Sequence, residues 1–336
     1  MDGPSRGHAD GPGRLSVDHA ATGSLDPAPL PIRGASPYRD RAGWRREKLL
    51  TWRTAVRLGW AIESNWADPL LFLIYSVAKP VAAVLMLVVM LQIITDGAAG
   101  PAQLGFVIIG SALWSFVVGG IAGLAISVLE DRERYRMLRY LYVLPGALPL
   151  VLLGRGTARI LVAAMGAAIT LAAALLVVGS PVDLAVVDWP YLVLALSIGL
   201  VAVIALGATM GALVMQTRQD SWNYPEAVAG ALFLVVGAVF PLAVLPPVAQ
   251  VIGLLVPLTW WMEGVRRALI PDAATSIGGT GSVWSEATGM VAPDTAWVLG
   301  ALLATTALST LLAVVCYRWS EHRARERGAF DQTTGS

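Results

Sequence analysis

The sequence predicts an all-α integral membrane protein, and three observations carry that prediction. Hydrophobic residues make up 56% of the chain and charged residues only 14%, where a soluble domain carries about 25% charged residues. Apolar runs long enough to cross about 30 Å of hydrocarbon occur at Leu70–Ile94, Leu104–Leu129, Thr157–Val178, Tyr191–Met215 and Trp297–Tyr317. The basic residues are segregated, dense in some connections and missing from others. The expected architecture is six transmembrane helices, an N-terminal amphipathic interfacial helix, and a broken or re-entrant segment after the fifth span.

Residues 1–43 hold seven Gly and six Pro with no apolar run. Such a segment buries too little surface to offset its ordering entropy, so it reads as a disordered cytosolic tail. It lacks the apolar core of a secretory signal peptide, which leaves the first span as the targeting element. Residues 44–66 read as an amphipathic helix. At 100° per residue Leu49, Trp52, Val56 and Trp60 share a face, flanked by Arg46, Arg53 and Arg57; this suits a helix in the headgroup layer or a cytosolic extension of the first span. Residues 67–319 form the six-span transmembrane domain and 320–336 a cytosolic C-terminal tail. Within that domain Ala227–Val256 is apolar but interrupted by Pro241 and by Pro246-Pro247. Its first part, Ala227–Phe240, reaches only about 21 Å at 1.5 Å per residue, so it either kinks onward or stops short and re-enters.

Orientation follows from Arg and Lys near the span ends. Six lie in 41–57 and four in 130–144, with Arg155 and Arg159 just beyond, Arg218 in the 216–226 connection, and Arg318, Arg323, Arg325 and Arg327 after the last span. The connections 95–103 and 179–190 hold none, and the long stretch 271–294 has Asp272, Glu286 and Asp294 but no base. Both termini are therefore expected in the cytosol of a multi-pass protein of the cell (plasma) membrane, with Arg266 and Arg267 on the outer side.

Composition also argues against several chemistries. His8, His19 and His322 all lie in polar segments outside the apolar runs, which disfavours intramembrane metalloprotease, Ser/His and bis-histidine haem sites and leaves no expected metal site. Cys316 is the single cysteine, so no internal disulfide forms. The net charge of +1 is not pooled in a patch, and no nucleic-acid partner is expected. A phosphate loop needs Gly-Lys-[Ser/Thr], whereas Lys48 follows Glu47 and Lys79 follows Ala78. The chain is not expected to be an enzyme; it carries no ATPase motif of its own.

Three constellations are candidates for function. The segment 130–144 contains Glu133, Arg134, Tyr135, Arg136, Met137 and Leu138 among strong helix formers, with no Gly or Pro inside. It reads as a short docking helix for a cytosolic partner or as a solvated turn whose charges fix topology. The stretch from Pro241 through Pro246 and Pro247 to Glu263, Arg266 and Arg267 reads as an outer gate or pathway element, because broken backbone at membrane depth needs protein or a water-filled cavity around it. A structural cap at the outer interface is the alternative. Lys79, directly before Pro80, is either a functional intramembrane charge or a side chain that snorkels to the inner phosphates.

Taken in order, the amphipathic helix, the spans, Glu133, Arg134, Arg136 and Leu138 leading to Pro145, the Pro-rich break, and Pro257-Leu258-Thr259-Trp260 with Glu263 and Arg266 resemble the membrane subunit of an ABC transporter of the type-2 exporter class. The resemblance covers roughly residues 44–325; Arg134-Tyr135-Arg136 stands where that class usually has Glu-x-Gly-Thr. It implies a permease that works as a dimer with a second copy or a paralogue in membrane lipid, powered by a separate ABC ATPase subunit that holds the ATP and Mg. It implies that 130–144 is the coupling element, and that the substrate is a drug-like, lipid or glycan amphiphile. A secondary transporter would show ionisable groups or paired broken helices in both halves, and a non-transport membrane scaffold needs neither.

Overall fold

The computed structural model describes residues 41–64, 69–135, 137, 148–178, 182–217, 221–270 and 275–326. Its regular elements are helical: α1 (Arg41–Ser64), α2 (Pro69–Ile94), α3 (Pro101–Leu129), α4 (Leu148–Val178), α5 (Trp189–Val214), α6 (Tyr224–Val235), α7 (Pro247–Leu255), α8 (Pro257–Leu269), α9 (Val283–Thr288) and α10 (Thr295–Glu326). Among the described residues four helices are long and apolar enough to cross a membrane, or five if the bent pair α7–α8 is one span. The difference from the six expected lies in α2, whose described apolar part is Val81–Ile94, and in α6, which ends after 12 residues.

The centre of the bundle is α3. Nineteen of its 29 residues are buried, on every side of the helix, whereas α5 buries 12 of 26, along one face in its first half. An all-round apolar helix belongs inside a bundle, and a striped one at its rim. Lipid is as apolar as leucine, so helices associate through close packing at small residues rather than by the hydrophobic effect. The α3 surface provides them: a Cβ on Gly119 would press into Ala163 of α4, and one on Gly120 into Val203 of α5. α1 joins the same way, Gly59 lying against Ala158 and Gly154 against Ala55. This contact turns the small face of α1 inward and leaves Leu49, Trp52 and Trp60 exposed.

The sixth apolar region breaks twice. α6 stops at Val235, and Gly237, at φ 74°, turns the chain away; a short turn at Leu242–Val244 leads to Pro246-Pro247 and α7. α7 and α8 then meet at an angle of 82° at Val256. The first break starts at Gly237, four residues before Pro241, the first of the prolines expected to cause it. The second lies ten residues beyond Pro246 and makes α7–α8 a bent pair, a broken span or a re-entrant loop.

Contacts sort the elements by end. Asp188, before α5, donates its backbone N–H to Ala268 of α8 at 3.1 Å, and Arg266 of α8 reaches Phe106 near the start of α3. At the other end Glu130, after α3, meets Arg155 near the start of α4, and Ser320 of α10 bonds Ala212 of α5.

Candidate functional site

The end of α3 carries the densest polar structure in the described chain. After Leu129 the helix widens into one π-helical turn, Glu130–Arg134, closed by the Tyr135 N–H donating to the Glu130 carbonyl at 2.8 Å. Such insertions recur at functional sites because they turn neighbouring side chains to one side. Here Glu130 and Asp131 both point into the protein. Arg155, 2% exposed, pairs with Asp131, which is fully buried, and reaches Glu130 Oε2 at 3.2 Å. Arg159, one turn further along α4, donates to the same Glu130 oxygen at 2.8 Å and to Glu63 of α1 at 2.8 Å. The Arg159 stem lies on Gly123, and the Arg155 guanidinium is 5.4 Å from the Tyr135 ring centroid.

The next turn reaches the other elements. Arg132 Nη1 donates to the carbonyls of Val214 at 3.1 Å and Thr217 at 2.9 Å, covering the C-terminal end of α5 with positive charge. Its Nη2 binds Glu133 at 2.7 Å, and the second Glu133 oxygen accepts the indole N–H of Trp222 at 2.8 Å, directly before α6. Seven charged residues and Trp222 thus tie α1, α3, α4, α5 and the approach to α6 into one junction. Buried pairs of this kind contribute little net stability, yet removing one partner strands a charge.

Of the coupling residues expected from sequence, Glu133, Tyr135 and Met137 are partly buried and Arg134 is exposed, its guanidinium 5.9 Å from the Tyr135 ring centroid. The Met137 N–H bonds the Asp131 carbonyl at 2.9 Å. Arg136 and Leu138, and the helical form expected for 138–144, lie outside the described residues. Sequence reasoning missed Glu63 and Trp222 and gave Arg155 and Arg159 only a topological role. A signal was available: Arg159 stands inside the apolar stretch Thr157–Val178, four residues after a second arginine.

At the opposite end the structure separates residues that spacing had grouped. Glu263 pairs with Arg267 at 2.9 Å, and its other oxygen accepts from the Ser276 N–H and hydroxyl, both at 2.8 Å. Arg266 makes no ion pair with Glu263 among the described contacts. It donates to the carbonyls of Gly237 at 2.9 Å and Ala238 at 2.6 Å, and its guanidinium lies 3.5 Å from the Phe106 ring centroid. Those carbonyls are the ones freed where α6 breaks, so the arginine supplies the donors that lipid cannot. Both side chains are buried, which makes them braces of the broken segment. Pro246 and Pro247 are exposed and Pro241 is partly so. Gln250, not singled out in the sequence, links the Leu245 carbonyl at 2.8 Å to the Val283 N–H at 2.8 Å. The backbone of Lys79 lies within α2, while its side chain is outside the described residues.

The described residues form a helical bundle with an ion-paired junction at one end and a bent pair of apolar helices at the other. The family described as ABC-2 type transporter matches residues 45–270, two thirds of the chain, and the protein belongs to that family. It is a membrane permease of an ABC transporter. No match is found among curated proteins.

Proposed function

We propose that the chain is the permease subunit of an ATP-driven exporter, acting with a second permease copy or paralogue and with a separate ATPase, and taking amphiphiles of the drug-like, lipid or glycan kind. Membrane proteins of this family normally pair with an ABC ATPase subunit. In this reading both termini and the Glu130 junction face the cytosol, α1 lies in the headgroup layer with Trp52 and Trp60 outward, and α7–α9 form the outer side. The chain itself contributes no nucleotide chemistry; ATP and Mg belong to the partner. The junction is the observation that supports this most. Energy must enter from a cytosolic surface, and Glu130–Arg134 is the turn from which α1, α4 and α5 are all held by charge-assisted bonds. Tyr135 and Met137 follow it directly as apolar anchors beside charged groups.

The test is a cysteine at Met137 in a Cys316→Ala background, combined with Arg159→Gln. Met137→Cys should cross-link to the ATPase in membranes. Arg159→Gln should leave that cross-link in place while reducing transport per ATP hydrolysed by about tenfold, since it cuts the ion-paired link from Glu63 of α1 to the turn and strands Glu63. If a chain that transports forms no cross-link to any ATPase, or transports with no ATPase present, the exporter-subunit reading is wrong.

A further inference from the structure

Between α3, α4, α5 and α10, at the Glu130 end, lies a half-open cavity of about 370 Å³ with almost wholly apolar walls. That volume is in the range of small-molecule sites, about 300–1,000 Å³. The α10 wall is Thr310, Ala313, Val314, Tyr317 and Arg318, an i, i+3, i+4, i+7, i+8 stripe, so one helical face is given to the hollow. On α5 the facing positions include Ala208 and Gly211. The space is not forced by helix packing. A Cβ on Gly207 would collide with Leu124, whereas one on Gly211 would stay 3.4 Å from its nearest neighbour, Val128.

Arg318 is the one charged residue on the wall, and it is exposed at the mouth. Its height is fixed, because Ser320, 1% exposed, donates its hydroxyl to the Ala212 carbonyl at 2.7 Å. Beside it Trp319 is half-exposed, with the Arg323 guanidinium 4.7 Å from its ring centroid. Arg beside an exposed Trp at a span end is the composition of the headgroup layer. A half-open hollow with apolar walls in a membrane-spanning chain is complementary to an acyl chain, and the cation at its mouth selects a ligand with an anionic head.

We infer that this cavity binds one anionic phospholipid, an acyl chain lying along Ala208 and Gly211 and the phosphate held by Arg318. The inference rests on the membrane-spanning character of the family and not on the exporter reading. The full chain is reconstituted in phosphatidylcholine vesicles containing a minor fraction of phosphatidylglycerol, with a photoreactive acyl chain on one lipid or the other, and labelled peptides are mapped. Labelling should concentrate on the facing stretches of α5 and α10 and be about fivefold stronger from phosphatidylglycerol, the preference one arginine near the headgroups supplies. Arg318→Gln should bring it down to the phosphatidylcholine level, and Ala208→Phe should clear the cavity of either lipid. Equal labelling by the two lipids, an even spread over the exposed apolar surface, or labelling unchanged by Ala208→Phe would each overturn the site. So would chain-to-chain linking across Ala208, which would make the occupant a second copy. Copurification of an ATPase is scored separately, so its failure would remove the exporter reading and leave the lipid result standing.

Discussion

Arg155 holds two carboxylates in a place from which water is excluded. Its guanidinium serves Asp131 and Glu130 together, and a lysine at this position is a single compact charge that cannot fork between them. Arg155→Met strands Asp131 and should cost about 3–5 kcal/mol, seen as a lowered unfolding midpoint in detergent. Arg155→Met combined with Asp131→Asn should recover most of that loss, since what destabilises is the unpaired charge. No recovery in the double variant would mean that Arg155 acts by packing alone. The sequence could not show this pair. Glu130 and Asp131 sit in a charged run that looks solvated, and only the π-helical turn rotates both inward. Arg155 and Arg159 were more legible, being charges at the edge of an apolar stretch, but their partners lie on α1 and α3, distant in sequence.

At the scale of the element, the broken segment depends on side chains that satisfy its helix ends. Thr259 donates its hydroxyl to the Gly253 carbonyl at 2.7 Å, and the Trp260 indole N–H donates to Leu254 at 2.8 Å, both reaching back across the 82° bend. Thr259→Val keeps the shape and removes one of two bonds to the Gly253 carbonyl, which still accepts from the Val256 N–H at 3.1 Å, so it should cost about 0.5–1.5 kcal/mol; faster limited proteolysis between α7 and α8 would report it, and unchanged cleavage would show that the bend does not need this bond. A second comparison separates two glycines near the break. A methyl on Gly110 would run into the Ala238 carbonyl and Arg266, whereas one on Gly230, in the middle of α6, meets nothing within 4 Å. Gly110→Ala should therefore depress the unfolding temperature strongly, and Gly230→Ala should raise stability by about 0.5–1 kcal/mol. Equal effects would mean that α3 and the break are not in the described contact. The prolines announced this element in the sequence. The bend at Val256 was not announced, because a Pro at the first position of a helix, as Pro257 is, starts α8 without dictating the angle at which α7 arrives.

For the whole molecule the charge pattern was the most informative feature. Connections rich in arginine gather at the Glu130 end and those without it at the Arg266 end, and the helix contacts reproduce that division. The number of spans was less legible, since a 12-residue α6 and a bent pair replace what hydropathy counts as one crossing. Sidedness can be tested with an impermeant thiol reagent in a Cys316→Ala background. Ala287→Cys lies on an exposed position of α9 and should react in intact cells, while Ser24→Cys should react only after permeabilisation. Ser282 is a poor reporter, being buried with its hydroxyl accepting from the Ser285 N–H. Labelling in the reverse order would invert every assignment made from basic residues.

The arginine bridge at Gly237 and Ala238 also sets a timetable for biosynthesis. The chain leaves the ribosome from its N-terminus, so the carbonyls freed at the break are made almost thirty residues before Arg266, their donor. Until that arginine emerges they cannot be left facing hydrocarbon, where each unsatisfied group costs several kcal/mol. α6 must therefore wait in a wet or proteinaceous shelter beside Phe106 and Gly110 of α3. A nascent chain stalled before Arg266 should remain held by the insertion machinery, and one stalled well beyond it should be released as a unit.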